Sequence, residues 1–428
     1  MQLSWIQIAR LGLVQMALGA IVVLTTSTLN RLMVVEFALP AVLPGALVGL
    51  HYGIQLSRPR WGFISDTGGN RTAWIIGGMA VLAAGGFGAA FAVTLFAGSY
   101  ALALALSVLA YTLIGLGVGA SGTSLLALLA TTTAPHRRAA AATITWLMMI
   151  FGIALTAGLA GSFLDPYSPA RLLSVVAVVV LAAFALTVIA VGRIERGLAA
   201  RPPEPHVPFM DGLREVWAER RARNFTLFVF LSMNAYFMQE LILEPFAGLV
   251  FGFTPGQSTQ LSGAQNGGVF VGMLTVGIMA TGLKIGSLRA WVVSGCLGSA
   301  VALALIALTG TGSLALPFTA LVVGLGFFNG MFAVAAIGSM MALASDGRER
   351  REGTRMGLWG AAQAIAAGFG GLTGAAAVDL LRTGLADGPA FGAVFALEGA
   401  LFIAAAVMAW HILSTTTAQA SPALVPGE

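Results

Sequence analysis

Along most of the chain, apolar residues run in blocks of about twenty, broken by short joints in which Gly, Pro, Ser and Arg collect. A block of that length crosses a hydrocarbon core of about 30 Å as a helix, so each one is a candidate membrane span. Apolar length and punctuation place the spans at roughly 11–34, 41–57, 73–96, 100–127, 139–163, 171–192, 225–250, 262–283, 288–309, 314–343, 356–378 and 390–413. The first block passes into the polar run Thr25, Thr26, Ser27, Thr28, Asn30 and Arg31 without a small-residue cleavage site. It is therefore expected to stay as a helix and not to be removed as a signal peptide. One long interruption, from Arg193 to Arg223, is charged and carries Pro202, Pro203, Pro205 and Pro208. It predicts a surface linker, in which Asp211 to Arg223 form a short interfacial helix. The expected division is a six-helix bundle over 1–193, a cytoplasmic linker over 194–223, a second six-helix bundle over 224–414 and a tail over 415–428.

An internal repeat supports that division. Arg71, Trp74 and Gly78 recur loosely in the run Leu288 to Gly295, where Trp291 matches Trp74; Gly115 and Gly117 recur as Gly324 and Gly326; Trp146 and Trp359 open the fifth and eleventh spans alike. Offsets of about 209 to 217 residues keep span order and orientation, so the halves are expected to be parallel repeats related by an axis along the membrane normal.

Composition agrees: of 428 residues, 58% are hydrophobic and 9% charged, where a soluble domain carries about 25% charged residues. The net charge of +5 would suit nucleic acid, but its placement gives another explanation. Arg58, Arg60, Arg71, Arg137, Arg138, Arg193, Arg196, Arg214, Arg289 and Arg348 are among the cations in even-numbered joints, whereas odd-numbered joints hold only Arg171 and Arg382. By the positive-inside rule both termini and the long linker are cytoplasmic, in a multi-pass bacterial inner-membrane protein, and no nucleic-acid partner is implied. Cys296, the single cysteine, builds neither a disulfide nor a metal site within one chain and leaves the redox compartment open.

The joint after the second span reads Gly62, Asp66, Gly69 and Arg71 at a spacing that resembles the loop signature of the major facilitator superfamily. Gly62 permits close helix contact, Asp66 accepts hydrogen bonds from a helix N-terminus or an arginine, and Gly69 turns the chain, which suits a conformational latch. The corresponding joint around Gly282, Lys284 and Gly286 lacks the aspartate, so a latch there is expected to be weaker.

Ionisable residues inside spans cost on the order of 3 kcal/mol each at a helix centre unless paired or hydrated, and here they are few: Arg31, Glu36, Glu240, Glu244 and Glu398. In a fold of this type spans 1, 4, 7 and 10 line a cavity, which makes Asn30, Arg31, Glu36, Gln239, Glu240, Glu244 and Asn329 the candidate lining. Arg31 is expected to face Glu240 or Glu244 across the two-fold axis; snorkelling of all three to the headgroups is the alternative. His51 and Gln55, four apart, form one polar stripe, either bonded to a neighbouring helix or with the imidazole weakly placed to ligate the magnesium of a chlorophyll-type pigment. Gly115, Gly117, Gly324, Gly326 and Gly330 suit close helix packing, and Phe327, Phe328 and Phe332 suit a large apolar ligand or lipid. No phosphate-binding loop, metal cluster or nucleophile–base pair stands in the aqueous joints, so neither catalysis nor an intrinsic cofactor is expected.

Leu11 to Gln15, Leu24 to Glu36, Pro40, Arg58 to Arg60 and Gly62 to Asp66 together resemble the PucC/LhaA family, whose Leu-Asn-Arg-x-Met-x-x-Glu run is matched from Leu29 to Glu36. The resemblance covers most of the chain. It implies an all-α membrane protein of the major facilitator superfamily fold, with about twelve transmembrane helices in two pseudo-symmetric halves. It also implies pigment handling in an intracytoplasmic photosynthetic membrane. The chain lacks the longer N-terminal extension and the second-loop insert of the antenna-assembly members, and looks more like a shorter subgroup associated with bacteriochlorophyll synthesis. The function so implied is a carrier or assembly factor for bacteriochlorophyll or a late precursor. Its partners would be the lipid bilayer, the pigment as cargo, and light-harvesting or reaction-centre polypeptides or late pigment-synthesis enzymes. A secondary transporter of a small lipophilic solute and a stabilising subunit of a late synthesis enzyme stand as alternatives.

Overall fold

The structure is a computed structural model that describes residues 3–58, 61, 70–134, 137–194, 217–345 and 352–417. These residues form helices throughout. In chain order they are α1 (Trp5–Glu36), α2 (Val42–Gln55), α3 (Arg71–Thr94), α4 (Tyr100–Thr132), α5 (Arg138–Leu164) and α6 (Pro169–Val191). The series continues with α7 (Arg220–Phe251), α8 (Pro255–Val276), α9 (Leu288–Gly310), α10 (Phe318–Ser345), α11 (Glu352–Arg382) and α12 (Asp387–Thr417). Among the described residues ten of these are long and apolar enough to cross a membrane. Outside that set are α2, which has 14 residues, and α8, which carries Gln257, Gln260, Gln265 and Asn266.

Local chemistry explains where the observed ends depart from the hydropathy spans. At Ser4 a capping box with Gln7 satisfies backbone donors at both residues, so α1 begins at Trp5, ahead of its apolar block. Thr254 and Gln257 repeat the device, and with Pro255 in the first turn they start α8 seven residues before the expected 262. Gly252, in the left-handed region at φ +69°, ends α7 and leaves only a tight turn to α8. Helix α1 is irregular: π turns occupy Leu24–Thr28 and Leu32–Glu36. A π turn frees a backbone carbonyl from its usual partner, and that of Thr25 accepts the Tyr111 hydroxyl of α4 at 2.8 Å.

Packing follows the repeat. In the first half α1 packs on α5 and α6, α3 on α4 and α6, and α2 on α4. In the second half α7 packs on α11 and α12, α9 on α10 and α12, and α8 on α10, which is the same set advanced by six helices. Between halves the main contacts are α2 with α11 and α5 with α8, a pair that the same relation exchanges. Each half has its own apolar core, one from Leu3 to Ile194 and one from Phe225 to Leu413, with Leu241 of α7 reaching into the first. The repeat glycines sit at equivalent crossings: a Cβ on Gly78 would come within 2.5 Å of the Ser121 nitrogen, and one on Gly295 within 2.6 Å of the Phe332 nitrogen. The outer faces carry exposed apolar side chains such as Phe163, Leu181, Ile189 and Leu380, as a lipid-facing surface requires.

Candidate functional site

The polar run of α1 faces inward. Thr25, Thr26, Ser27, Thr28, Asn30 and Arg31 are all buried, and they meet α7 and α8 of the other half. Unpaired polar groups in this position would be costly, and most of them are paired across the axis. Asn30 donates through Nδ2 to the Leu241 carbonyl at 2.6 Å, and the Thr28 and Thr259 hydroxyls lie 3.0 Å apart. The Ser27 hydroxyl donates to Oε1 of Glu244.

Arg31 does cross the axis, but not to a helix α7 carboxylate. Its Nη1 meets Oε1 of Glu36 at 2.5 Å and its Nη2 donates to the Phe253 carbonyl at 2.6 Å. The expected ion pair with Glu240 or Glu244 is thus replaced by one within α1 and a bond to the α7–α8 turn, whose carbonyls carry the partial negative charge of a helix C-terminus. Beside this pair, in the α5–α6 turn, burial and the Glu36 carboxylate push the Tyr167 phenol above its ordinary range.

Between α1, α7 and α8 lies a small polar cavity of about 40 Å³, lined by Ser27, Tyr236, Gln239, Glu240, Leu243, Glu244, Ser262, Gln265, Asn266 and Val269. Of the expected lining residues it gathers Gln239, Glu240 and Glu244, with Asn30 and Arg31 on the α1 side of the same junction. Three expectations are corrected. Asn329 is wholly buried inside the second half, where its Oδ1 accepts the Ser299 hydroxyl at 2.8 Å, so it packs α10 on α9 and stands outside the lining of this cavity. His51 and Gln55 are buried in α2, with His51 Nε2 and Gln55 Nε2 2.9 Å apart and Arg58 donating to Gln55 Oε1. His51 is 2% exposed, with Nε2 engaged and Nδ1 without a partner among the described residues, so in this closed packing the ring presents no open side to a flat macrocycle. Glu36 lies at the rim, its side chain 35% exposed. Gly62, Asp66 and Gly69 lie outside the described residues, and Arg71 opens α3 directly after its Asn70 cap. Glu398 is fully buried in α12, apart from the cavity lining, and among the described residues neither of its carboxyl oxygens has a hydrogen-bond partner.

Spans 1, 4, 7 and 10, taken as the lining, missed Ser262, Gln265 and Asn266, which lie in the eighth. They also missed two aspartates at the end of the bundle opposite the chain termini. Asp165, just after α5, accepts from Thr254 Oγ1 at 2.5 Å and the Gly256 nitrogen at 3.1 Å, at the N-terminus of α8. Asp379, in the last turn of α11, accepts from the backbone nitrogens of Ala41 and Val42 at 3.0 and 2.7 Å, at the N-terminus of α2. Each carboxylate lies where helix N-terminal donors and the helix dipole favour negative charge, and each ties one half to the other. The two clasps are exchanged by the two-fold and join the halves at that end of the bundle. Their separation of 214 residues (379 − 165) falls within the repeat offset, the signal that would have found them.

Comparison with known proteins follows the same lines. A family model described as "PUCC protein" matches residues 28–417. A protein of Rhodobacter capsulatus named "Bacteriochlorophyll synthase 44.5 kDa chain" is 66% identical over the whole of both chains. "Protein PucC" of Cereibacter sphaeroides is 31% identical over 94% of this chain and 91% of its own. Among solved structures, a bacterial homologue of the human lysosomal transporter Spinster superposes with a TM-score of 0.67 at 16% identity, covering 98% of this chain and 99% of that one. At that identity the likeness concerns the fold alone, that of the major facilitator transporters.

Proposed function

The chain belongs to the PUCC protein family, and on that premise we propose that it is a carrier or assembly factor that handles bacteriochlorophyll, or a late precursor, for photosynthetic complexes. It is a multi-pass membrane protein linked to bacteriochlorophyll synthesis. The observation that carries the finer reading is the closed junction between halves, where α1 and the α7–α8 hairpin place their polar side chains toward each other in a fold whose two halves can rock apart. The cavity of about 40 Å³ has room for one or two waters, so a tetrapyrrole would enter only with the halves parted. In this reading synthesis is left to partner enzymes, and the protein holds and hands over the product. Arg-rich joints orient the termini to the cytoplasm of a photosynthetic inner membrane.

Purification from native membranes tests this. A preparation that carries bacteriochlorophyll absorption, together with pigment-complex polypeptides, is the expected result. A colourless protein that drives ion-dependent uptake of a lipophilic solute would overturn it in favour of a secondary transporter. Recovery of a late synthesis enzyme in fixed ratio, without pigment, would make the chain a stabilising subunit, a reading that the name of the 66% identical relative favours.

A further inference from the structure

The cavity between α1, α7 and α8 is lined by buried acceptors that lack partners. Among the described residues Oε2 of Glu244 and Oε1 of Gln239 are buried without a hydrogen-bond partner of good geometry, their residues being 2% and 1% exposed, while the Ser258 and Ser262 hydroxyls and the Arg31 charge act on the Glu244 carboxyl. Ser27 spends its proton on Glu244 Oε1, so its oxygen is left with lone pairs. Asn266 spends an Nδ2 proton on the Ser262 carbonyl at 3.0 Å. Glu240 adds a second carboxyl to the wall. Among the described residues no lysine, arginine or histidine lines the space. The cation packed beside it is Arg31, whose charge is matched by Glu36 at 2.5 Å. Buried acceptors without donors are costly, and a buried carboxylate without a counter-charge more so.

We propose that this cavity is a binding site for one small monovalent cation, of the sodium class, held by Glu244, Gln239 and Ser27 with Glu240 and the α8 side chains around it. Hard oxygen donors converging from three helices suit such an ion, and about 40 Å³ accommodates it with at most a water or two. A single positive charge offsets the fully buried Glu244, whereas Glu240 is only half-buried. Because α1 belongs to one half and α7 and α8 to the other, the ion bridges the halves and favours their closed arrangement. The site stands whether the cargo is a pigment or another solute.

Thermal unfolding of the full-length, pigment-free protein in detergent tests this at fixed pH and ionic strength, with choline replaced by sodium, potassium or calcium. Sodium is expected to raise Tm saturably. Glu244→Gln is expected to weaken its apparent affinity at least about ten-fold, and Ser27→Ala, which keeps the fold if the first variant does not, by a smaller factor. Glu398→Gln, outside the lining, is expected to leave the sodium response unchanged. A Tm indifferent to sodium, or one that responds only to calcium, would overturn the proposal.

Discussion

Removing the aspartate clasps should open one end of the protein by a calculable amount. Asp379 accepts two backbone N–H groups at 3.0 and 2.7 Å, and Asp165 accepts one backbone N–H at 3.1 Å and one hydroxyl at 2.5 Å. A carboxylate at a helix N-terminus is worth about 0.3–1 kcal/mol when exposed and up to about 2 kcal/mol when partly buried, and both aspartates are half-buried. With about 1 kcal/mol for each, Asp165→Ala or Asp379→Ala shifts the closed-to-open ratio about five-fold, and the double variant about 25-fold if both report on one equilibrium. The assay is labelling of a cavity cysteine, Leu243→Cys, by a membrane-impermeant maleimide applied from the clasp side. Cys296, the buried native thiol, is replaced by serine as background. Asp→Asn variants keep an acceptor and should fall between. A double variant that labels no faster than its parent would refute the clasps as closing contacts. So would faster labelling from both sides with a lowered Tm, since general loosening would then be the cause.

Three further outcomes follow from single contacts. Arg31→Ala should destabilise the protein by about 1–3 kcal/mol in thermal unfolding, and exchange of Arg31 with Glu36 should fail to restore it, because the Phe253 carbonyl still requires a donor at position 31. Gly326→Ala would bring a Cβ to 2.0 Å from the Gln265 carbonyl, so α8 must move off α10. A cost of about 1–3 kcal/mol and a disturbed cavity wall are expected, measured as a lower Tm with a weakened sodium response. Tyr111→Phe removes the hydroxyl that caps the freed Thr25 carbonyl and should cost about 1 kcal/mol, read as a modest loss of Tm with cavity labelling unchanged.

Much of this architecture is legible in the chain, because membrane spans write themselves as apolar length and a repeat writes itself as a fixed offset. The matches at Gly78 and Gly295 mark real helix crossings for that reason. The site is less legible. Arg31 was readable as an inward-facing cation, yet its partner depended on where α7 ends, and that end is set by Gly252 and the Thr254 capping box at positions that carry no hydropathy signal. Asn329 and His51 are polar residues in apolar helices, as Gln239 and Glu244 are; only helix rotation, which apolar blocks without amphipathic periodicity do not record, separates those that face the cavity from those that pin two helices together. The eighth span was expected like the others but stood outside the set taken to line a cavity, and its Ser262, Gln265 and Asn266 form the cavity wall.

The aspartate contacts carry a historical consequence. Donor and acceptor are displaced together: Ala41 and Thr254 stand 213 residues apart, Val42 and Gly256 stand 214 apart, and so do Asp165 and Asp379. A single six-helix polypeptide docking with an identical copy would make that bond twice by isologous symmetry. Gene fusion would then have inherited the pair intact, and since the counterpart of each acid is largely main chain, later drift had only the two acidic codons to preserve.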